Sequence, residues 1–296
     1  MSNGLIMKAL GGFYYVETSE KVLYECRARG VFRKDGISPA VGDRVKIETD
    51  AQGKGVVTEI LPRKNYIVRP PLANLDRLFI VVSVCEPQPN FLVIDKFIAM
   101  SEHKEIEPVL VITKSDLAPA DELRRIYENA GFAVCIVNNL EESDLGEVRE
   151  LLRGKICAFT GNTGVGKSSF LNRIEPSLGI KTADISQKLG RGRHTTRHVE
   201  LYRLEELDAY VADTPGFSTM DLTRYDIIFK DELQHCFREF APYRDHCRFT
   251  GCSHTVEKGC AVLEALAEGE IESTRHESYK ALYEEAKQIK EWELPR

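Results

Sequence analysis

The residues best placed to do chemistry begin with Gly161-Asn162-Thr163-Gly164-Val165-Gly166-Lys167-Ser168-Ser169. A glycine, four residues, then Gly-Lys-Ser is the spacing of a phosphate-binding loop. Its glycines let the backbone curl, so that successive N–H groups face the phosphates of a nucleoside triphosphate. The N-terminus of a following helix adds partial positive charge at the same spot. Lys167 would span the phosphate oxygens, and the Ser168 hydroxyl would be a Mg²⁺ ligand. The flanks suit this reading: Ile156 to Phe159 is apolar like a strand, and Ser169-Phe-Leu-Asn-Arg173 is helix-like.

A second constellation is Thr113-Lys114-Ser115-Asp116, close to the Asn-Lys-x-Asp signature by which GTPases read guanine. A carboxylate at Asp116 can accept from both the ring N1–H and the exocyclic amino group. Adenine offers neither arrangement, so a site built on those bonds rejects it. The aliphatic stem of Lys114 can pack along the base. Thr113 replaces Asn, and its hydroxyl offers fewer bonds, so a weaker tether to the phosphate loop is expected. Asn138, followed by Asn139, is the candidate for the last nucleotide-binding loop.

Downstream, Asp213-Thr-Pro-Gly216 has the Asp-x-x-Gly form, with Asp213 holding Mg²⁺ through water and the Gly216 N–H meeting a γ-phosphate. Gly190-Arg-Gly-Arg-His-Thr-Thr-Arg197 is a basic, glycine-rich segment of the kind that orders around triphosphate and metal. Thr196, or its neighbour Thr195, is the candidate metal-sensing hydroxyl. The guanine signature lies about fifty residues before the phosphate loop, and no second copy follows Gly216. Ordinary GTPases have the opposite order, so the domain reads as circularly permuted. The segment after Asp213 then runs directly into the C-terminal module, and nucleotide state could steer that module's orientation. That module carries Cys247, Cys252, His254 and Cys260 within fourteen residues. Three thiolates and an imidazole make a closed tetrahedral Zn²⁺ set, structural rather than catalytic. Cys236 and His246 are spare candidates, ranked lower.

These residues need elements to position them. Residues 1–68 show short β-type runs (Gly12–Val16, Val22–Ala28, Asp43–Glu48, Gly55–Ile60) between turn residues, which suggests a small closed OB-fold barrel. Arg27, Arg29, Arg33, Lys34, Arg44 and Lys46 beside Tyr14, Tyr15, Tyr24 and Phe32 would suit RNA. Equally, those aromatics could fill the core and the charges form a solvated face. Arg69-Pro70-Pro71 reads as a stiff connector. Buried strands are then expected over 77–84, 108–112 and 133–137, with helices over 91–103, 120–130 and 142–153. That alternation implies a mostly parallel α/β sheet running to about residue 220. Helices follow over 261–268 and 272–292. The domains are therefore expected at 1–68, 72–220 and 221–296.

Composition sets outer limits. The chain has 296 residues, is 43% hydrophobic and 29% charged, and carries a formal net charge of -6. No apolar run approaches the roughly 20 residues that cross a bilayer, and the N-terminus lacks the apolar core of a signal peptide. A cytoplasmic protein with reduced thiols is expected, in which Cys26, Cys85, Cys135 and Cys157 are small core residues. The charge is uneven: residues 1–68 balance at +3, residues 180–203 at +4 and residues 261–296 at -4. Local basic surfaces matter more than the total when the partner is a polyanion.

With the permuted motifs, the leading barrel and the trailing zinc set together, the chain resembles the RsgA (YjeQ/YloQ) family of circularly permuted GTPases. The resemblance spans essentially the whole length. It implies GTP hydrolysis that is slow alone and stimulated by the 30S ribosomal subunit, in late 30S maturation, with GTP/GDP, Mg²⁺ and one Zn²⁺. It also implies contact with 16S rRNA through the end domains. A monomer without membrane or DNA partners goes with that reading. Phe217 follows the Asp-x-x-Gly segment where many GTPases have a water-positioning Gln. His194 is similar to the family histidine proposed to orient water instead; from sequence it could equally be an exposed switch histidine. Two rival readings are a GTP-gated RNA-binding module with incidental turnover and an ATP-using P-loop enzyme.

Overall fold

The computed structural model describes residues 2–30, 32, 37–50, 53–138, 145–176, 199–213 and 227–289. Its strands are β1 (Ser2–Leu10), β2 (Phe13–Thr18), β3 (Leu23–Ala28), β4 (Arg44–Thr49), β5 (Lys54–Ile60), β6 (Tyr66–Ile67), β7 (Leu72–Ala73), β8 (Arg77–Ser83), β9 (Glu107–Thr113), β10 (Ala133–Val137), β11 (Ile156–Thr160), β12 (Glu200–Leu204) and β13 (Ala209–Asp213). The helices are α1 (Phe91–His103), α2 (Asp121–Asn129), α3 (Gly146–Leu152), α4 (Lys167–Ile174), α5 (Lys230–Leu233), α6 (Ala261–Ala267) and α7 (Ser273–Lys287). By packing they form two units. One is Met1–Leu78, Asp144–Thr163 and Lys167–Met220; the other is Phe79–Ser143, Gly164–Gly166 and Asp221–Arg296.

In the first unit, β1-β2-β3-β5-β4 closes on itself through a β1–β4 pairing, with β3 and β5 parallel and the other pairs antiparallel. This is the expected small closed barrel, built of five strands. Its core is aliphatic: Ile6, Val16, Cys26, Val45, Ile47 and Val57. Tyr14, Tyr15, Tyr24 and Phe32 are half-buried on its surface and do not fill it. β1 lies in a stretch from which no strand was expected, yet it pairs with β2, β4 and β12. Beyond the barrel, β12 and β13 form an antiparallel hairpin, and β13 runs parallel to β11.

The expected connector at Arg69-Pro70-Pro71 is instead the turn of the β6–β7 hairpin, paired at Tyr66↔Ala73 and Ile67↔Leu72. This strap is bonded to the barrel. Ala73 N–H donates to the Val41 carbonyl at 2.9 Å, and the Asn74 amide donates to the Gly42 carbonyl at 2.9 Å. Gly42 sits at φ 85, and a Cβ there would lie 2.1 Å from the Ala73 oxygen. The strap's approach therefore requires glycine. Arg63 reaches back to the buried Asp43 with two bonds, at 2.7 and 2.8 Å.

In the second unit, β10 and β9 are parallel, with β8 on the other side of β9. Every residue of β8 and β9 after its first is buried, which explains their unbroken apolar sequence. The Asn90 side chain accepts from Val93 N–H and so caps α1. The C-terminal helices pack here around Phe237, Phe240, Cys236, Val262 and Tyr279. They are pinned by charge: buried Arg275 contacts Asp95 of α1 at 2.6 Å and Glu239 at 2.7 Å. Arg238 spans Glu102 and Glu107 at 2.7 and 2.8 Å. Burial pulls the Arg275 pKa down, and Asp95 and Glu239 overcome it, leaving the pKa above the ordinary value.

Removing Arg275 strands two buried carboxylates, whereas the Lys8–Glu200 pair is partly solvated. Arg275→Met should therefore cost on the order of 3–5 kcal/mol. Lys8→Met should cost less than about 1 kcal/mol. Urea denaturation of the full chain compares them, and equal midpoints for Arg275→Met and Lys8→Met would refute the assignment.

Candidate functional site

β11 is buried along its whole length and delivers the chain to Gly161. α4 begins at Lys167 and buries Phe170, Leu171 and Ile174, with Phe170 6.0 Å from the Phe159 ring of β11. Gly164 and Gly166 both adopt φ 87, open to glycine without strain. Asn162, Thr163 and Gly164 are exposed, and Val165 is buried. Gly166, Lys167, Ser168 and Ser169 are half-buried at the helix N-terminus, where backbone N–H groups and the helix dipole favour an anion.

Thr113 is the buried last residue of β9. Its Oγ1 lies 2.5 Å from the Val165 carbonyl and 3.1 Å from that of Val82. The hydroxyl therefore makes the tether to the phosphate loop that was expected to weaken without Asn. Lys114 follows at φ 59, and its Nζ donates to the Glu86 carbonyl. Leu117 N–H closes a turn on the Lys114 carbonyl at 2.9 Å, leaving Ser115 half-buried and Asp116 exposed. A Cβ on Gly164 would sit 3.8 Å from Pro87, so the loop after β8 lies against the phosphate loop. Half-buried Asn138 follows β10 directly. Asp213 is the last residue of β13. His194, Thr195, Thr196, Gly216 and Phe217 lie outside the described residues.

The four expected metal ligands do converge. The ligand atoms of Cys247, Cys252, His254 and Cys260 all lie within 4.8 Å of one another. The Cys247 and Cys260 sulphurs are 3.8 Å apart, and His254 Nδ1 is 3.5 and 3.4 Å from them. Tetrahedral Zn²⁺ with bonds of about 2.3 Å to sulphur and about 2.0 Å to nitrogen gives edges of about 3.8 and 3.5 Å. The residues fit zinc. His254 Nε2 donates to Gln234 Oε1 at 2.9 Å, which leaves Nδ1 as the ligand atom. Burial lowers the His254 pKa and keeps the ring neutral. His276 donates to the His254 carbonyl at 2.8 Å, and Tyr279 to the Ser253 carbonyl at 2.9 Å. Spacing gave no signal for Gln234, His276 or Tyr279, because each reaches the site from another element. Cys236 is buried in the apolar cluster and stands apart from the four ligands.

The sequence profile of the RsgA GTPase family matches residues 60–223, and that of the RsgA N-terminal domain matches residues 3–57. The small ribosomal subunit biogenesis GTPase RsgA of Geobacillus kaustophilus is 43% identical, over 98% of this chain and 99% of the relative. The chain belongs to the RsgA GTPase family. The RsgA of Halalkalibacterium halodurans is 45% identical, over 97% of this chain and 98% of the relative. Two solved structures share the fold at 34% identity. YjeQ from Thermotoga maritima superposes with a TM-score of 0.82 over 98% of this chain and 99% of that one. YloQ, a circularly permuted GTPase, superposes at 0.81 over 100% and 97%. The fold is thus a circularly permuted RsgA GTPase domain with an OB-like barrel before it and a helical Cys/His region after it.

Two outcomes are expected for this RsgA-family site. Thr113→Val leaves the Val165 carbonyl without its buried partner and should weaken GDP binding about tenfold in calorimetric titration, with Thr113→Ser close to the parent. Metal analysis by mass spectrometry should find one zinc per chain. Cys252→Ser should lose it, while Cys236→Ser and His246→Ala retain it; loss of zinc in Cys236→Ser would redraw the ligand set.

Proposed function

We propose that this chain hydrolyses GTP to GDP and phosphate on binding the small ribosomal subunit, as a late maturation factor. The observation that carries this is the Thr113 hydroxyl on the Val165 carbonyl: a guanine-reading strand that precedes the phosphate loop in sequence nevertheless grips it. Family membership over nearly the whole chain supplies the ribosomal context.

The roles follow from residue chemistry. N–H groups of Gly161 to Ser169 and the Lys167 ammonium take the phosphate charge, which counts most as the γ-phosphoryl leaves. Asp116 selects guanine, Lys114 packs on it, and Ser115 and Asn138 complete the base pocket. Ser168, Thr196 and Asp213 offer the hard oxygen atoms that Mg²⁺ prefers. Bound there, Mg²⁺ would neutralise charge on the β- and γ-oxygens. Gly216 meets the γ-phosphate, and His194 orients the attacking water. Phe217 has no polar atom for that task, so turnover without a partner is slow. Cys247, Cys252, His254 and Cys260 would hold Zn²⁺, which would cross-link their short segment beside a small apolar core. The domains are taken as 1–68, 72–220 and 221–296, the end domains contacting 16S rRNA. The chain acts as a cytoplasmic monomer; no helix among the described residues is long and apolar enough to cross a membrane.

The test is multiple-turnover GTP hydrolysis with purified 30S, with 50S and with neither. The 30S subunit should raise the rate at least tenfold and 50S should not. His194→Ala should lose most of that stimulation with GTP affinity unchanged. Equal rates in all three conditions would reduce the chain to a GTP-gated RNA-binding module.

A further inference from the structure

One end of the barrel holds a cavity of about 300 Å³ whose walls include Phe13 and Tyr14 of β2, Arg27 and Arg29 at the end of β3, Phe32 and Pro39. Among the described residues no carboxylate lines it. The Arg27 guanidinium stands 4.8 Å from the Phe13 ring centroid, already stacked on an aromatic face. Arg27 is exposed and has no acidic partner among the described residues. Arg29 shares its charge with Glu48 at 3.1 Å. The wall at Ser38 and Pro39 is held in place: Arg63 donates to the Ser38 carbonyl at 2.8 Å. Asp43, the buried partner of Arg63, accepts from Ala40 N–H at 2.7 Å.

The chemistry narrows the occupant. A volume near the lower end of the roughly 300–1,000 Å³ used by small-ligand sites suits one nucleoside. Half-buried aromatic rings take a planar base by its face, and exposed arginines take its phosphate. The cavity opens beside the β1–β2 turn and strands β2 and β3, the region through which OB folds take oligonucleotides. A base in a duplex is stacked on both faces and cannot enter a recess. We infer that this cavity binds one unstacked nucleotide of a single-stranded RNA segment, with the base against the Phe13–Arg27 pair. The inference rests on the proposed function, in that the barrel faces RNA, and names the form of RNA it grips.

Fluorescence anisotropy of the full chain with labelled hexaribonucleotides, against a twelve-base-pair RNA duplex at the same ionic strength, tests it. Single strands should bind more tightly than the duplex. Arg27→Ala should weaken single-strand binding about tenfold without altering duplex binding, and Arg27→Lys should restore it in part. Phe13→Leu, which keeps an apolar side chain, should also weaken the single strand. Circular dichroism checks that all three variants fold. The inference is overturned if Arg27→Ala and Phe13→Leu bind hexamers like the parent, or if the duplex competes as well as single strands. It is equally overturned if no hexamer binds while 30S still stimulates GTP turnover, an outcome that spares the proposed function. Loss of 30S stimulation in the parent refutes the proposed function instead.

Discussion

β9, which comes before the loop over residues 161–168 in sequence, is not placed against it by chain continuity; it has to be fastened. The fastening is the Thr113 hydroxyl on the Val165 carbonyl, across 52 residues of sequence. Both groups are buried, so the alternative to this bond is an unpaired polar atom away from water, which is costly. That asymmetry makes the tether obligatory rather than decorative. Lys114 takes its left-handed φ immediately after the tether, so the turn carrying Asp116 starts at the residue next to the one that grips the phosphate loop. A threonine suffices because the task needs one donor at the end of a buried strand.

The barrel is joined to the β12–β13 hairpin by a comparable device. Lys8 of β1 pairs with Glu200 of β12, and Glu200 pairs with Asp213 of β13, so one register line runs from the barrel to the end of the strand carrying the Asp-x-x-Gly carboxylate. At the other end of that hairpin, Tyr210 donates to Glu17 at 2.5 Å and Lys21 reaches Asp208 at 3.4 Å. β13 in turn shares a ladder with β11, the strand that feeds the phosphate loop. A barrel held at both ends of the β12–β13 hairpin cannot shift without straining the strand that ends at Asp213. The barrel is therefore linked to the strand that ends at Asp213 through backbone pairing rather than a flexible linker.

What could be read from sequence divides by physical cause. β8, β9 and β11 and helices α1 and α2 were legible because burial on both faces, or a 3.6-residue period, leaves an unambiguous pattern, and β10 was legible from its apolar run although Ile136 is exposed. The cluster of Cys247, Cys252, His254 and Cys260 was legible because metal chemistry restricts both residue type and spacing. β1 was not: Ser2 to Leu10 has no alternation, because this strand changes partners along its length and its burial changes with them. β12 is five residues with two of them buried, too short for periodicity to speak. The β6–β7 strap was hidden because Pro70 and Pro71 suggest an extended linker while tertiary bonds make them a turn. Cys85 is half-buried, unlike Cys26, Cys135 and Cys157, since it lies just past the end of its strand. The surface aromatics of the barrel resisted assignment because hydrophobicity does not distinguish a core ring from a stacking platform.

The C-terminal region shows why charge enters where apolar area is scarce. Residues 227–289 hold short helices and a Cys/His cluster around a small group of aromatic rings. Such a region could dock through hydrophobic contact alone in many orientations. Arg275 cannot: it is buried, lies near the rings of Tyr127, Phe132 and Phe237, and its guanidinium meets Asp95 and Glu239 in fixed directions. A buried pair of this kind adds little net stability compared with an apolar replacement, but any orientation that leaves it unpaired is heavily disfavoured. Arg238 repeats the logic on Glu102 and Glu107, at the end of α1 and the start of β9. Since β9 ends at Thr113, the orientation of the Cys/His region is referred to the strand that tethers the phosphate loop.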